Sequence, residues 1–125
     1  MIPKFRAWNT FHNKWVKHFY ITENGLIYNM EQPHMDLIGA VPIEQSGLVV
    51  MQSTGLFDKN GKEIFEGDVV RILDEKLSKI YYSDGAFCVD ILNGGTPLHA
   101  FLSEQLEIIS SIYENPELME VLDEN

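Results

Sequence analysis

The densest concentration of side chains able to do chemistry lies near the start of the chain. Arg6, Trp8, Lys14, Trp15, Lys17 and Tyr20 interleave cations with aromatic rings in a short stretch. Flat rings beside cations suit the stacking of nucleic-acid bases or the anchoring of a protein partner. In a strand, alternate residues face opposite sides, so half of these aromatics are expected to point into a core. Arg6, Trp8, Lys14, Trp15 and Lys17 are the candidate partner-binding residues, with core packing of the rings as the competing reading.

Elsewhere the reactive residue types are scattered. The four histidines, His12, His18, His34 and His99, have neither the i, i+4 partner nor the cysteine neighbours of a zinc site. His18 reads as a strand-face residue beside Phe19. The single cysteine, Cys88, sits among Phe87, Val89 and Ile91 with no cation nearby in sequence. It reads as a buried strand thiol rather than a nucleophile. Asp58-Lys59-Asn60-Gly61-Lys62-Glu63 superficially resembles a calcium loop. Counted from Asp58, however, Glu63 stands where such a loop needs glycine and Val69 where it needs glutamate. Asn60-Gly61 between β-prone runs reads instead as a hairpin turn. No phosphate-binding glycine loop or nucleophile elbow occurs, and Gly94-Gly95 reads as a turn. The expectation is a protein without metal or cofactor and without enzymatic activity.

The elements that position these residues are short. Glycine, proline, asparagine and aspartate punctuate the chain at close intervals between β-prone runs, which argues for many short strands. Strands are expected over 5–9, 15–21 and 26–30, the last two joined by a type I′ turn at Asn24-Gly25. Residues 31–47 are irregular, with at most one short element around Leu37–Ile38. Leu48–Gln52 reads as a strand. A hairpin at Asn60-Gly61 and a sharp bend over Ile64–Asp68 come next, then a strand over Val69–Leu73. Lys79–Tyr82 and Ala86–Leu92 are expected to pair across Asp84-Gly85. Strands over Leu98–Leu102 and Leu106–Ile112 close the series. Asn115 suits a helix N-cap and Pro116 the first helical position. Leu118, Val121 and Leu122 then share one face of a short helix that must dock on something to persist. Asp123 and Glu124 oppose the dipole at its end, which predicts fraying.

The fold expected is mainly β, in one unit over 1–125. An N-terminal β part over 1–57 precedes an SH3-like small barrel over 58–125 that carries the short C-terminal α-helix. At 125 residues and 45% hydrophobic composition the chain has enough material for a real core.

The run from Met51 to Val70, with its Thr54-Gly55-Leu56, Asp58-Lys59-Asn60-Gly61-Lys62-Glu63-Ile64 and Glu66-Gly67-Asp68 segments, resembles the YopX family of phage and prophage proteins. The resemblance extends to Lys4-Phe5-Arg6-Ala7-Trp8, to Asp84-Gly85-Ala86-Phe87-Cys88 and to Ile112-Tyr113-Glu114-Asn115-Pro116-Glu117-Leu118. It implies a phage or prophage accessory protein in the cytoplasm of a bacterial host. It implies no biochemical activity, because the family has none assigned.

Charge narrows the partners. The formal net charge is −10, unevenly spread. Residues 1–30 carry Lys4, Arg6, Lys14 and Lys17 against Glu23 alone. Residues 101–125 carry Glu104, Glu107, Glu114, Glu117, Glu120, Asp123 and Glu124 with no lysine or arginine. An acidic protein repels nucleic acid at long range, so binding there needs a local basic patch. No apolar run approaches the roughly 20 residues of a membrane span, and no signal-peptide core follows the first residues. The favoured reading is a non-enzymatic module that binds an unidentified phage or host protein, and a homo-oligomer is compatible with it. The alternative is a nucleic-acid-related role, by single-strand binding through the basic aromatic face or by DNA mimicry through the acidic tail.

Overall fold

The computed structural model describes residues 3–31, 39–91 and 94–123. They form thirteen strands, β1 to β13, and one short C-terminal helix, α1 (Leu118–Asp123). The fold is mainly β, as expected. By internal contacts the chain divides into two compact units, one comprising Phe5–Met51 and the other Met1–Lys4 with Gln52–Asn125.

The first unit is built on β1 (Phe5–Asn9), β2 (Lys14–Val16), β3 (Phe19–Ile21), β4 (Leu26–Asn29), β5 (Val41–Pro42) and the start of β6 (Leu48–Phe57). β1 lies between β2 and β6, while β4 lies between β3 and β5. Ala7, Val16, Ile27 and Leu48 form the core, with Phe19, Ile21, Val41, Ile43 and Val50 packed around it. The single strand expected over 15–21 is in fact two. β2 pairs with β1 and β3 pairs with β4, so the chain changes sheets at Lys17-His18. A carboxylate makes the change possible. Glu31 Oε2 accepts the amides of Lys17 at 2.8 Å and His18 at 3.0 Å, replacing the strand bonds that both residues give up. His18 therefore stands in an exposed bend and not on a strand face.

The second unit contains the rest of β6, then β7 (Glu63–Phe65), β8 (Asp68–Ile72), β9 (Lys76–Lys79), β10 (Tyr81–Ser83), β11 (Ala86–Ile91), β12 (Gly94–Pro97) and β13 (Leu106–Ser111). β7 folds back on β6, and two three-stranded sheets follow, ordered β13-β8-β9 and β10-β11-β12. Ile64, Val70, Ile72, Ile80, Val89, Leu98 and Leu106 form one core. Cys88 is buried on β11, as its apolar neighbours suggested.

Several local expectations are corrected. The hairpins at Asn24-Gly25 and Asn60-Gly61 exist, but neither turn is type I′. Only the glycine has positive φ in each, and its amide bonds back to Thr22 or Asp58 at 3.0 Å. These are type I turns closed by a glycine bulge, the three-residue hairpin loop. The turn with both central residues at positive φ and a two-residue loop is Asp84-Gly85, which joins β10 to β11. Lys79 belongs to β9 and pairs with Val69, so only Tyr81 onward meets β11. Gly94 and Gly95 are strand residues opposite Ile91 and Asp90. A Cβ on Gly95 would meet the Tyr81 hydroxyl at 2.5 Å, which accounts for glycine inside that strand. Leu98–Ala100 is a 3-10 turn rather than the start of a strand. Leu37–Ile38, Leu92, Asn93 and Glu124 lie outside the described residues.

α1 lies against β9. Leu118 and Leu122 are half-buried, but Val121 is 42% exposed and so does not share the docked face expected of it.

Candidate functional site

The signature segment is consumed by architecture. Asp58 is 2% exposed, and its carboxylate gathers three amides. Oδ1 accepts from Asn60 and Lys62, each at 2.9 Å, and Oδ2 accepts from Ile108 of β13 at 2.9 Å. Burial raises the Asp58 carboxyl's affinity for its proton. The Ile108, Lys62 and Asn60 amides and the Lys62 charge outweigh that, leaving its pKa below the ordinary value. Asp68 Oδ2 accepts the Phe65 amide at 2.8 Å across the Glu66-Gly67 turn. Ser53 Oγ donates to Glu63 Oε2 at 2.5 Å, and Lys4 Nζ reaches Glu63 Oε1 at 3.3 Å. The Ser53 hydroxyl first, and Lys4 after it, hold the Glu63 carboxyl below its usual range despite some burial. Thr54 Oγ1 donates to the Ile64 carbonyl at 2.7 Å over the bulge that separates Ser53 from Phe57.

The candidate residues of the first unit divide between two places. Arg6, Trp8 and Trp15 come together. Trp8 opposes Trp15 across β1 and β2, with ring centroids 4.9 Å apart and an edge-to-face angle of 79°. The Arg6 guanidinium lies 4.5 Å from the Trp15 centroid. Trp8 is buried and Trp15 half-buried, so the stack already occupies much of its own aromatic surface. Tyr20 is exposed and stacks on Tyr28 across β3 and β4 at 5.3 Å. Lys17 is exposed at the break between β2 and β3.

Lys14 goes elsewhere. Opposite Asn9, it lines a cleft of about 340 Å³ with Phe11, His12, Asn29, Glu31 and Ser46. The polar atoms that shape this cleft are engaged. Asn9 Oδ1 accepts the amides of Phe11 at 2.8 Å and His12 at 3.1 Å, which curls the β1–β2 loop. Ser46 Oγ donates to the Ile43 carbonyl at 2.6 Å, and Asn29 Oδ1 accepts the Glu31 amide at 2.9 Å. Phe11 is 75% exposed, and its ring lies so close over Gly47 that a Cβ there would collide with it. Thr10 pins the same loop by donating both its amide and its hydroxyl to the Gly47 carbonyl.

Sequence reasoning missed Phe11, His12 and Glu31 as neighbours of Lys14. One local signal existed, since an asparagine side chain readily accepts the amide two residues on and closes a turn. Nothing in the sequence announces that Glu31 caps Lys17 and His18. His18 and His99 are exposed and far apart in the chain, His99 beside a shallower groove of about 260 Å³ with Leu56 and Phe87. His34 lies outside the described residues. Among the described residues no three histidine, cysteine, aspartate or glutamate side chains are grouped to hold a metal ion, and no helix is long and apolar enough to cross a membrane.

Residues 4–120 match the sequence profile of the family described as YopX protein. The chain belongs to the YopX family. Its fold recurs among solved structures. Protein EF1440 from Enterococcus faecalis matches with a TM-score of 0.67 at 29% identity, over 95% of this chain and 99% of that one. Protein yopX from Bacillus subtilis matches with a TM-score of 0.60 at 21% identity, over 91% and 95%. No curated protein matches. The family match spans both the carboxylate-capped segment of residues 51–70 and the cleft-forming loops of the first unit.

Proposed function

We propose that this YopX-family chain is a phage- or prophage-encoded accessory protein that acts in the bacterial cytoplasm by binding another protein, without catalysis. The observation that carries the reading is the cleft at Phe11. It pairs a largely exposed aromatic ring, seated on Gly47, with the polar side chains of His12 and Lys14. An exposed aromatic beside a concave, partly polar wall is the composition of a binding hot spot. The signature carboxylates support a recognition role from the other side. Asp58, Asp68 and Glu63 accept bonds from amides, a hydroxyl and an ammonium, which is structural work. We also read residues 58–125 as an SH3-like barrel, because β8, β11 and β13 contribute to one shared core.

The single-strand-binding alternative has less support. The faces it would use, on Trp8 and Trp15, are engaged by each other and by Arg6. Crosslinking in host cells carrying the element, followed by affinity recovery with nuclease treatment, tests the reading. The expected result is a defined protein recovered at comparable yield with and without nuclease. Recovery of nucleic acid alone would replace this reading with the alternative.

A further inference from the structure

Resting on the protein-binding reading, the cleft can be assigned a partner chemistry. Lys14 and His12 both line it, and neither side chain makes a hydrogen bond or ion pair with any described residue. Their neighbours Asn9, Asn29 and Ser46 are already bonded to backbone groups. The cleft therefore offers an ammonium and an imidazole N–H as donors, with the Phe11 ring as an apolar wall. Glu31 limits what can enter. Glu31 is part of the lining and its carboxylate is fixed by the Lys17 and His18 amides, so a second anionic group would face a nearby negative charge. The whole chain, at −10, opposes a polyanion at long range as well.

We propose that this cleft binds a short peptide segment of the partner protein that carries a single acidic residue beside an apolar one. One carboxylate would lie at Lys14 and His12, and a neighbouring apolar side chain would lie on Phe11. A phosphate strand fits less well, because successive phosphates carry about one charge per nucleotide past Glu31.

The probe is a fluorescein-labelled peptide with a single glutamate beside a leucine in an otherwise neutral sequence; the same peptide with glutamine in place of the glutamate and an oligothymidine are comparators. Binding is read by fluorescence anisotropy against the full chain. The glutamate peptide is expected to bind and the glutamine peptide to bind at least about tenfold more weakly, as for the loss of a charge-assisted hydrogen bond. Lys14→Glu and Phe11→Ala should each weaken the glutamate peptide by about tenfold or more. Lys79→Glu, which alters a lysine of β9 that does not line the cleft, should leave it unchanged. Both test positions are exposed, and unaltered thermal melting shows that the variants remain folded. Absence of peptide binding, or binding indifferent to both cleft variants, overturns the assignment. Oligothymidine binding that depends on Lys14 overturns it in favour of nucleic acid. A protein recovered from host cells equally by the wild type and Lys14→Glu would sink the cleft assignment while leaving the protein-binding reading intact.

Discussion

At the scale of single residues, Asp58 ties two parts of the second unit together. Its two oxygens serve a turn and a distant strand together. Asp58→Ala leaves three amides short of an acceptor in a buried place. Lost bonds to a charged acceptor and stranded donors cost on the order of 3 kcal/mol together. Chemical denaturation should show that loss, with Asp58→Asn milder because one oxygen remains. The same side chain gives stability a pH dependence. Asp58 and Glu63 both hold their protons less tightly when folded than their ordinary values of 3.8 and 4.5. Their stabilisation is therefore present above those values and fades as pH falls through the lower folded ones. The denaturation midpoint should drop between about pH 5 and about pH 3, and the drop should shrink in Asp58→Asn.

At the scale of elements, the hairpins that turn on glycine were legible, and the β8–β9 hairpin, which has none, was missed. Gly25, Gly61 and Gly85 mark three hairpins that the sequence announces. The β8–β9 hairpin is announced by nothing, because it turns on Leu73 at φ 54° and Asp74 at φ 62°. Two successive left-handed residues with side chains cost roughly 1–2 kcal/mol each, less for aspartate. The sheet that β8 shares with β9 and β13 holds them there, and the Leu73 amide is tied to the Gln105 carbonyl at 2.9 Å. Replacing Leu73 by asparagine and Asp74 by glycine supplies the pair such a turn prefers. The double variant should gain about 1 kcal/mol, read as a raised denaturation midpoint. An unchanged or lowered midpoint would mean that the exposed Leu73 side chain contributes more than its backbone costs. The strand break at Lys17-His18 escaped for a related reason. Its compensating group, Glu31, is supplied from beyond the next hairpin, and local pattern carries no record of it.

At the scale of the whole molecule, the sequence conveyed the class of fold and the terminal helix, but only part of the candidate site. Lys14 was among the residues named; the company it keeps was not. The cleft joins residues 9–16 to 29–31 and 46, and only sheet pairing brings those stretches together. The helix allows a direct test of how the chain ends. α1 packs on β9 through half-buried residues, so truncation after Asn115 should lower stability by roughly 2 kcal/mol. Light scattering should show an unchanged particle size. A change of size without loss of stability would mean that the helix serves a neighbouring subunit instead.

The bulged hairpins also bear on how the protein ages. Asparagine followed by glycine is the dipeptide most open to deamidation, because the glycine nitrogen can attack the asparagine side-chain carbonyl and expel ammonia. In the folded chain the Gly61 nitrogen is held by the Asp58 carbonyl and the Gly25 nitrogen by the Thr22 carbonyl. Attack requires that nitrogen to lose its proton, and each proton is held in a hydrogen bond. Deamidation at Asn24 and Asn60 should be slow in the native protein and fast in urea, as peptide mass spectrometry after prolonged incubation would show. Equal rates in the two conditions would mean that the turns open freely. If the rates differ as expected, isoaspartate at these two positions records how long each molecule has spent unfolded.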